Sequence, residues 1–213
     1  MAFVVLSKGK GFTSWLIRWF TTQIIRKDVL VAAGVSLVVS WWYLFWSLFG
    51  LTAYAKIVAR INHVFIVYYS TDFRQTFAID IREHGPIPVA VQRALKQCKF
   101  IRVYEPTYDL FTGVRANVRQ IATGYDWLML IGSVFLILWY LLTGIRAKRT
   151  PHSPSRNVCS EYVVGVINSS VGAQNIGIPT MFYPQSLDDL LSTSQQYNLV
   201  YEGKPVGFPY MKP

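Results

Sequence analysis

Cysteine is scarce in this sequence, and its scarcity limits the kinds of site that the chain can build. The chain has two cysteines, Cys98 and Cys159, which lie far apart. A disulfide-stabilised scaffold needs more of them, and no spacing of cysteine and histidine resembles a zinc site. We therefore expect no metal centre and no cofactor.

Charged residues are also few, and acidic residues are fewer than basic ones. Charged residues make up 15% of the chain and apolar residues 52%, whereas soluble domains carry about 25% charged residues. The 21 basic and 11 acidic residues leave a net charge of +10. This surplus favours an anionic partner, such as lipid headgroups or cell-wall polymers. Because no nucleic-acid motif accompanies it, we expect membrane lipid and no specific nucleic acid.

The first residues lack the charged region, apolar region and cleavage site that make up a signal peptide. Any export is therefore expected to use another route.

Two long runs carry no charged residue, at 29–55 and 127–145, and the first is long enough to span a bilayer. If both spanned, residues 56–126 would lie across the bilayer from Cys159. Trp41, Trp42 and Trp46 lie inside the first run, whereas spanning helices favour aromatic residues at their ends. We expect residues 29–56 to form a hydrophobic, membrane-associating insertion, as a hairpin or an interfacial helix. Residues 127–145 are expected to form a core or interfacial helix.

The hydrophobic pattern predicts short strands and helices in mixed order. Strands are expected at 2–6, 61–69, 76–81, 100–104 and 198–201, and helices at 12–22, 89–96, 113–123 and 159–168. Gly85-Pro86-Ile87-Pro88 is expected to break the chain, and residues 186–189 have the form of a helix cap. The predicted fold class is α+β. It is a small antiparallel sheet with helices on its sides, in one domain over residues 1–213 that carries the long hydrophobic insertion.

Cys159 and His63 are placed as a cysteine hydrolase requires. Cys159 follows a loop rich in proline and serine and opens an apolar-periodic stretch, which predicts a thiol at a helix N-terminus. The partial positive charge there lowers the pKa of a thiol. His63 begins a strand-like run, and an imidazole close to the thiol would complete a nucleophile–base pair.

Asp80 is the candidate that would orient the imidazole. If the strands at 61–69 and 76–81 form a hairpin in which Tyr69 pairs with Arg74, then His63 lies opposite Asp80 on the same face. Asp80 would then accept the Nδ1–H of His63, as the third member of a catalytic triad does. A slip of the register by one residue would send the two side chains to opposite faces.

Plainer interpretations exist for each of these residues. A histidine at a strand end is usually a half-buried polar residue, and a cysteine at a helix start is usually a small core hydrophobe. Asp80 could protect an edge strand from aggregation. His84 lies in a turn, and His152, in the loop before Cys159, is a rival base.

Several blocks together carry a resemblance to a known family. They run in family order over nearly the whole chain except 29–56: Val4-Val5-Leu6-Ser7-Lys8-Gly9-Lys10-Gly11, Ile17-Arg18-Trp19-Phe20-Thr21, Asn62-His63-Val64-Phe65-Ile66-Val67, Ala78-Ile79-Asp80-Ile81, Gly124-Tyr125-Asp126, Cys159-Ser160-Glu161 and Pro184-Gln185-Ser186-Leu187-Asp188-Asp189-Leu190. The sequence resembles the circularly permuted papain-fold hydrolases of the NlpC superfamily, in particular the YiiX-like group, with the lecithin–retinol acyltransferases as cousins.

The resemblance implies a permuted papain-like fold in which Cys159 is the nucleophile, His63 the base and Asp80 the orienting group. The family normally has glutamate or a polar amide where Asp80 stands. The implied activity is that of a membrane-associated cysteine peptidase or amidase. The implied substrate is an amide or acyl bond, in peptidoglycan stem peptides or in a lipid.

Members of the family also occur in bacteriophages, so the expected location is the cell envelope or a phage virion, where other envelope or virion proteins could be partners. Two alternatives stay open. One is a structural or membrane-perturbing envelope or virion protein without turnover. The other is a lipid amidase or acyltransferase that uses the same nucleophile.

Overall fold

The structure is a computed structural model that describes residues 2–10, 60–82, 85–121, 123–124, 158–179 and 183–208, with single helical residues within 14–22 and 132–143. The chain divides into two compact units. One comprises residues 1–10, 61–126 and 152–213, and the other comprises residues 11–60 and 127–151. All three predicted site residues belong to the first unit.

The first unit is built on one six-stranded antiparallel sheet, with strand order β4-β3-β2-β1-β5-β6. The strands are β1 (Ala2–Gly9), β2 (His63–Ser70), β3 (Gln75–Arg82), β4 (Gly85–Ala90), β5 (Cys98–Pro106) and β6 (Tyr197–Gly203). The central strands β1 and β2 are almost continuously apolar and buried, as strands covered on both faces are. The predicted α+β class with an antiparallel sheet is confirmed.

The described residues of the first unit also form four helices: α1 (Val91–Lys96), α2 (Leu110–Ala116), α3 (Cys159–Asn168) and α4 (Pro184–Thr193). Short 3₁₀ turns follow at Val118–Gln120 and Pro205–Gly207. The bounds predicted for α3 are confirmed. Helix α4 begins earlier than the cap predicted at 186–189, because Pro184 suits a first helical turn and the Ser186 hydroxyl donates to the Tyr183 carbonyl.

The break expected at Gly85-Pro86-Ile87-Pro88 is wrong, because these residues form the edge strand β4. Pro86 and Pro88 occupy alternate positions, opposite Ile81 and Ile79 of β3. Residues two apart on a strand point their N–H groups the same way, so both missing donors can face the open side of the sheet. An edge strand therefore tolerates both prolines.

Two apolar layers sandwich the sheet. On one face, Val4, Val64 and Ile66 pack with α2, α3 and α4. On the other face, Phe65 and Val67 pack with α1 and with residues near the C-terminus. Alternate residues of each strand thus enter different cores, which fixes the register strongly.

The second unit is described at few residues. Those within 14–22 are helical, in agreement with the helix predicted at 12–22, and the Thr22 hydroxyl donates to the Arg18 carbonyl at 2.8 Å. Those within 132–143 are helical too. The insertion predicted at 29–56 lies outside the described residues. Over the part of the chain that is described, no helix is long and apolar enough to cross a membrane.

Gly113 provides a test of how α2 packs on α3. A Cβ added at Gly113 would lie 2.0 Å from the Val166 carbonyl oxygen and 2.3 Å from the Ser170 hydroxyl. Gly113→Ala should therefore lower the free energy of unfolding by about 1–3 kcal/mol, measured by urea denaturation of the detergent-solubilised chain. Gly165→Ala is the matched control, because the nearest atom to its added Cβ, Asn117 Oδ1, is 3.7 Å away. Equal stability of the two variants would contradict this packing.

Candidate functional site

Cys159 is the first residue of α3, as the sequence predicts. Val158 precedes it in an extended conformation, with φ −93° and ψ 165°, and the N–H of Val158 donates to the Glu161 carboxylate at 3.4 Å. The Cys159 side chain is buried, with 7% of the residue exposed. The first N–H groups of a helix have no partner within the helix, so the sulfur lies where the backbone favours negative charge.

His63 is the first residue of β2, and its side chain contacts Asp80 of β3. His63 Nε2 and Asp80 Oδ1 are 2.7 Å apart, and the side chains are 17% and 5% exposed. A charge-assisted hydrogen bond at this distance is strong, and the low exposure protects it from water. The predicted pairing of His63 with Asp80 is thus present in the structure.

The register that brings the two residues together differs from the predicted one. Tyr69 pairs with Thr76 and not with Arg74, because the turn is formed by residues 71–74, with Arg74 at φ 48°. Continuing this register places Asp80 opposite Phe65, so His63 reaches Asp80 diagonally. The pairing has slipped by two residues, and an even slip keeps every side chain on its face.

The ring nitrogen that contacts Asp80 is also different from the one predicted. Asp80 contacts Nε2, whereas the sequence argument assigned Nδ1 to this role. The imidazole also interacts with the Cys159 thiol, through a hydrogen bond and through charge. His63 therefore interacts with both a carboxylate and a thiol.

The pKa values of the two groups shift in opposite directions. Burial by itself lowers the pKa of His63, but the hydrogen bonds to Asp80 and Cys159 outweigh it and raise the pKa to about 9. Burial raises the pKa of Cys159, but the His63 hydrogen bond and charge and the backbone N–H groups of Val64 and Ser160 outweigh it, so this pKa is lowered. Both shifts favour a thiolate–imidazolium pair, the reactive form of a nucleophilic cysteine.

Backbone groups at the site were missed in the sequence argument. The N–H groups of Val64 and Ser160 stabilise the thiolate. Every residue except proline carries an N–H, so no sequence pattern marks these donors. These donors can be identified only from the tertiary structure, in which α3 approaches the start of β2.

Two side-chain amides hold the start of β2 in place. The Gln185 side chain of α4 accepts from the Ile61 N–H at 3.0 Å, and the Asn62 side chain accepts from the Gly9 N–H at 2.9 Å. Both bonds lie within two residues of His63. They tie the histidine strand to α4 and to the end of β1.

Asp188 belongs to a separate buried network. Its carboxylate accepts from Arg102 Nη1 at 2.7 Å and from the Tyr104 hydroxyl at 2.9 Å. Since both partners lie on β5, this network anchors α4 to the sheet. Asp188 is thus a second buried aspartate with a charged partner, but its partner is Arg102 and not His63.

The remaining cysteine and histidines have other placements. Cys98 is buried in the core beside α1, and its thiol donates to the Ala94 carbonyl at 3.5 Å. His84 and the rival base His152 lie outside the described residues. Among the residues that the structure describes, no group of three or more metal-ligating side chains is found.

The first prediction from this geometry concerns alkylation of Cys159. Alkylation follows the thiolate fraction, which rises as the pH passes through the pKa of the thiol. Because that pKa is lowered, iodoacetamide should modify Cys159 rapidly at about pH 6, where an ordinary thiol with a pKa near 8.5 reacts slowly. Mass spectrometry of the intact chain measures the rate, with Cys159→Ala and Cys98→Ala as controls. A rate that rises only near pH 8 would show an unactivated thiol.

A second prediction concerns Asp80. Asp80→Asn keeps the shape but removes the charge that stabilises the imidazolium, so the alkylation profile of Cys159 should move upward by about one to two pH units. Asp188→Asn is the matched control, because it alters a buried aspartate that pairs with Arg102. Its profile should stay at the wild-type position. Identical profiles for Asp80→Asn and wild type would mean that Asp80 does not act on the pair.

Comparison with known proteins adds no relative: no family model, no curated protein and no solved structure matches the chain.

Proposed function

We propose that this protein is a membrane-associated, papain-like cysteine hydrolase that cleaves an amide bond in peptidoglycan stem peptides. The observation that carries the proposal is the buried series Cys159–His63–Asp80, in which the pKa of the thiol is lowered and that of the imidazole is raised. Structural ion pairs also perturb pKa values, but a cysteine gains little stability from such an arrangement. A lowered thiol pKa beside an oriented imidazole is the usual form of an activated nucleophile.

The proposed reaction has two halves. The Cys159 thiolate attacks the carbonyl carbon, and the His63 imidazolium gives its proton to the leaving amine as the amide bond breaks. Neutral His63 then takes a proton from water, the hydroxide attacks the thioester, and the acid product leaves with Cys159 restored as the thiolate. Asp80 stays ionised throughout and holds the imidazole by its Nε2.

The tetrahedral intermediate needs donors for its oxyanion. The backbone N–H of Cys159, at the first position of α3, is the natural donor, because it has no acceptor within the helix. The same feature of the helix start that favours the thiolate thus serves the oxyanion.

The chain order supports the permuted version of the papain fold. In papain-like proteases the cysteine lies near the mature N-terminus and the histidine far downstream. Here the histidine strand comes first, followed by Asp80 and then by the cysteine helix. This order agrees with the family that the sequence resembles. We include in the proposal the membrane-associating role of residues 29–56, with residues 127–145 as a core or interfacial helix.

The envelope substrate is supported by composition. The net charge of +10 suits an anionic wall or membrane, and the uncharged runs suit a lipid surface. The proposed location is the cell envelope or a phage virion. A lipid amidase or acyltransferase would use the same thiol and differ only in substrate or acceptor.

The test uses the full chain in detergent micelles with purified peptidoglycan and, in parallel, with an N-acylated phospholipid. We expect release of new amino groups from peptidoglycan and a thioester adduct on Cys159 in intact-mass spectra. Cys159→Ala should lower the rate by at least about 10³-fold, whereas Cys98→Ala should leave it near wild type.

Each other outcome has a defined meaning. Cleavage of the phospholipid alone would replace the peptidoglycan substrate by a lipid. Equal release of amino groups by Cys159→Ala and by wild type would show that the reaction does not use Cys159 as its nucleophile. An activated thiol without turnover of either substrate would favour the structural envelope or virion protein.

A further inference from the structure

One row of paired residues crosses the sheet at the end where the site lies. His63 of β2 pairs with Ser7 of β1, Ser7 pairs with Ile101 of β5, and Ile101 pairs with Gly203 of β6. Adjacent strands are about 4.8 Å apart, so the row extends roughly 14 Å from His63. We call this the site end of the sheet.

Five lysines lie beside this row, at the ends of β1 and α1 and at the site ends of β5 and β6. They are described here as the lysine face. Lys8 is partly exposed and the other four are exposed. The members are Lys8, Lys10, Lys96, Lys99 and Lys204.

Backbone contacts bring the members of the lysine face together. The Lys10 N–H donates to the Gln97 carbonyl at 3.0 Å, and the Lys10 ammonium donates to the Lys96 carbonyl at 2.8 Å. Lys8 pairs with Phe100, the neighbour of Lys99. The cations thus gather from separate parts of the chain, and the sequence does not show them as a cluster.

Glu202, the exposed acid of β6 at the site end, pairs with an arginine. Glu202 of β6 lies 3.3 Å from Arg102 Nε, and Arg102 also pairs with Asp188. The opposite end of the sheet differs, because its turns and strand ends carry more acidic than basic residues: Asp72, Arg74, Glu105 and Asp109. The positive charge is therefore concentrated at the end that holds the site.

The chain also enters and leaves the sheet at this end. Residues 11–60 join β1 to β2 just after Lys10, and residues that include 127–145 precede Val158. Both connections contain the uncharged runs, at 29–55 and 127–145. The first of these connections leaves β1 directly after Lys10, a member of the lysine face.

We propose that the lysine face docks on the surface of an anionic phospholipid bilayer, with the Cys159–His63 pair turned toward the headgroups. Clustered lysines next to apolar sequence match such a surface, where each lysine strengthens binding about fivefold. The bond to be cleaved is then presented close to the membrane and not deep in the wall. The inference rests on the proposed function only in treating Cys159 and His63 as the site.

The experiment reads the docking directly on the full chain reconstituted in vesicles. An environment-sensitive NBD fluorophore is placed at Lys99→Cys, in a chain that also carries Cys98→Ala and Cys159→Ala. In phosphatidylcholine vesicles with roughly one-third phosphatidylglycerol, the emission should shift to the blue and acrylamide quenching should fall about threefold. In pure phosphatidylcholine both effects should be absent, and high salt should reverse them.

The matched control places the same probe at Asp72→Cys, an exposed position at the opposite end of the sheet. That probe should not respond to phosphatidylglycerol. Adding Lys10→Glu and Lys96→Glu to the Lys99→Cys chain should abolish the response. Equal responses at both positions, or a response to soluble anionic polymer and none to vesicles, would overturn the proposal. Since the variant lacks the proposed nucleophile Cys159, failure of docking and failure of hydrolysis are separate results.

Discussion

The hydrogen bond between His63 Nε2 and Asp80 Oδ1 is the contact on which the candidate site depends. It fixes the orientation of the imidazole, which also interacts with the Cys159 thiol. It also supplies the negative charge that keeps a buried imidazole protonated, and the imidazolium in turn lowers the pKa of Cys159. Because the carboxylate is nearly excluded from solvent, little water screens this series of charges.

The fold brings Cys159 and His63 together at the starts of their elements, beside Asp80 in β3. Cys159 begins α3, where the first backbone N–H groups have no partner within the helix. Gln185 and Asn62 fix the start of β2 by accepting from backbone N–H groups. The sheet and its two apolar layers support the starts of α3 and β2. Such support suits a site that must hold a thiolate in a fixed position.

The two ends of the sheet have different chemical character. The site end has the thiol, the imidazole and the lysine face, while the opposite end has exposed Asp72 and Asp109 and partly exposed Glu105. The proposed hydrolase site and the proposed bilayer contact therefore lie at the same, basic end of the sheet. A basic surface around a nucleophile also concentrates anionic substrates near it, whether the reacting bond belongs to a lipid or to a wall precursor.

The sequence by itself determined the local features: five of the six strands that the structure describes, the start and end of the Cys159 helix, and Cys159, His63 and Asp80 as the groups to bring together. These features follow from the hydrophobic periodicity and from residue chemistry, both of which depend only on residues close together in the sequence. Tertiary structure alone decided the slip of the β2–β3 register, the use of Nε2, the strand at residues 85–90 and the backbone donors at the thiol. Each of these features depends on which distant segments of the chain pack together. The energy of that packing depends on both partners, so it cannot be read from the sequence of either segment alone, whereas local propensity can.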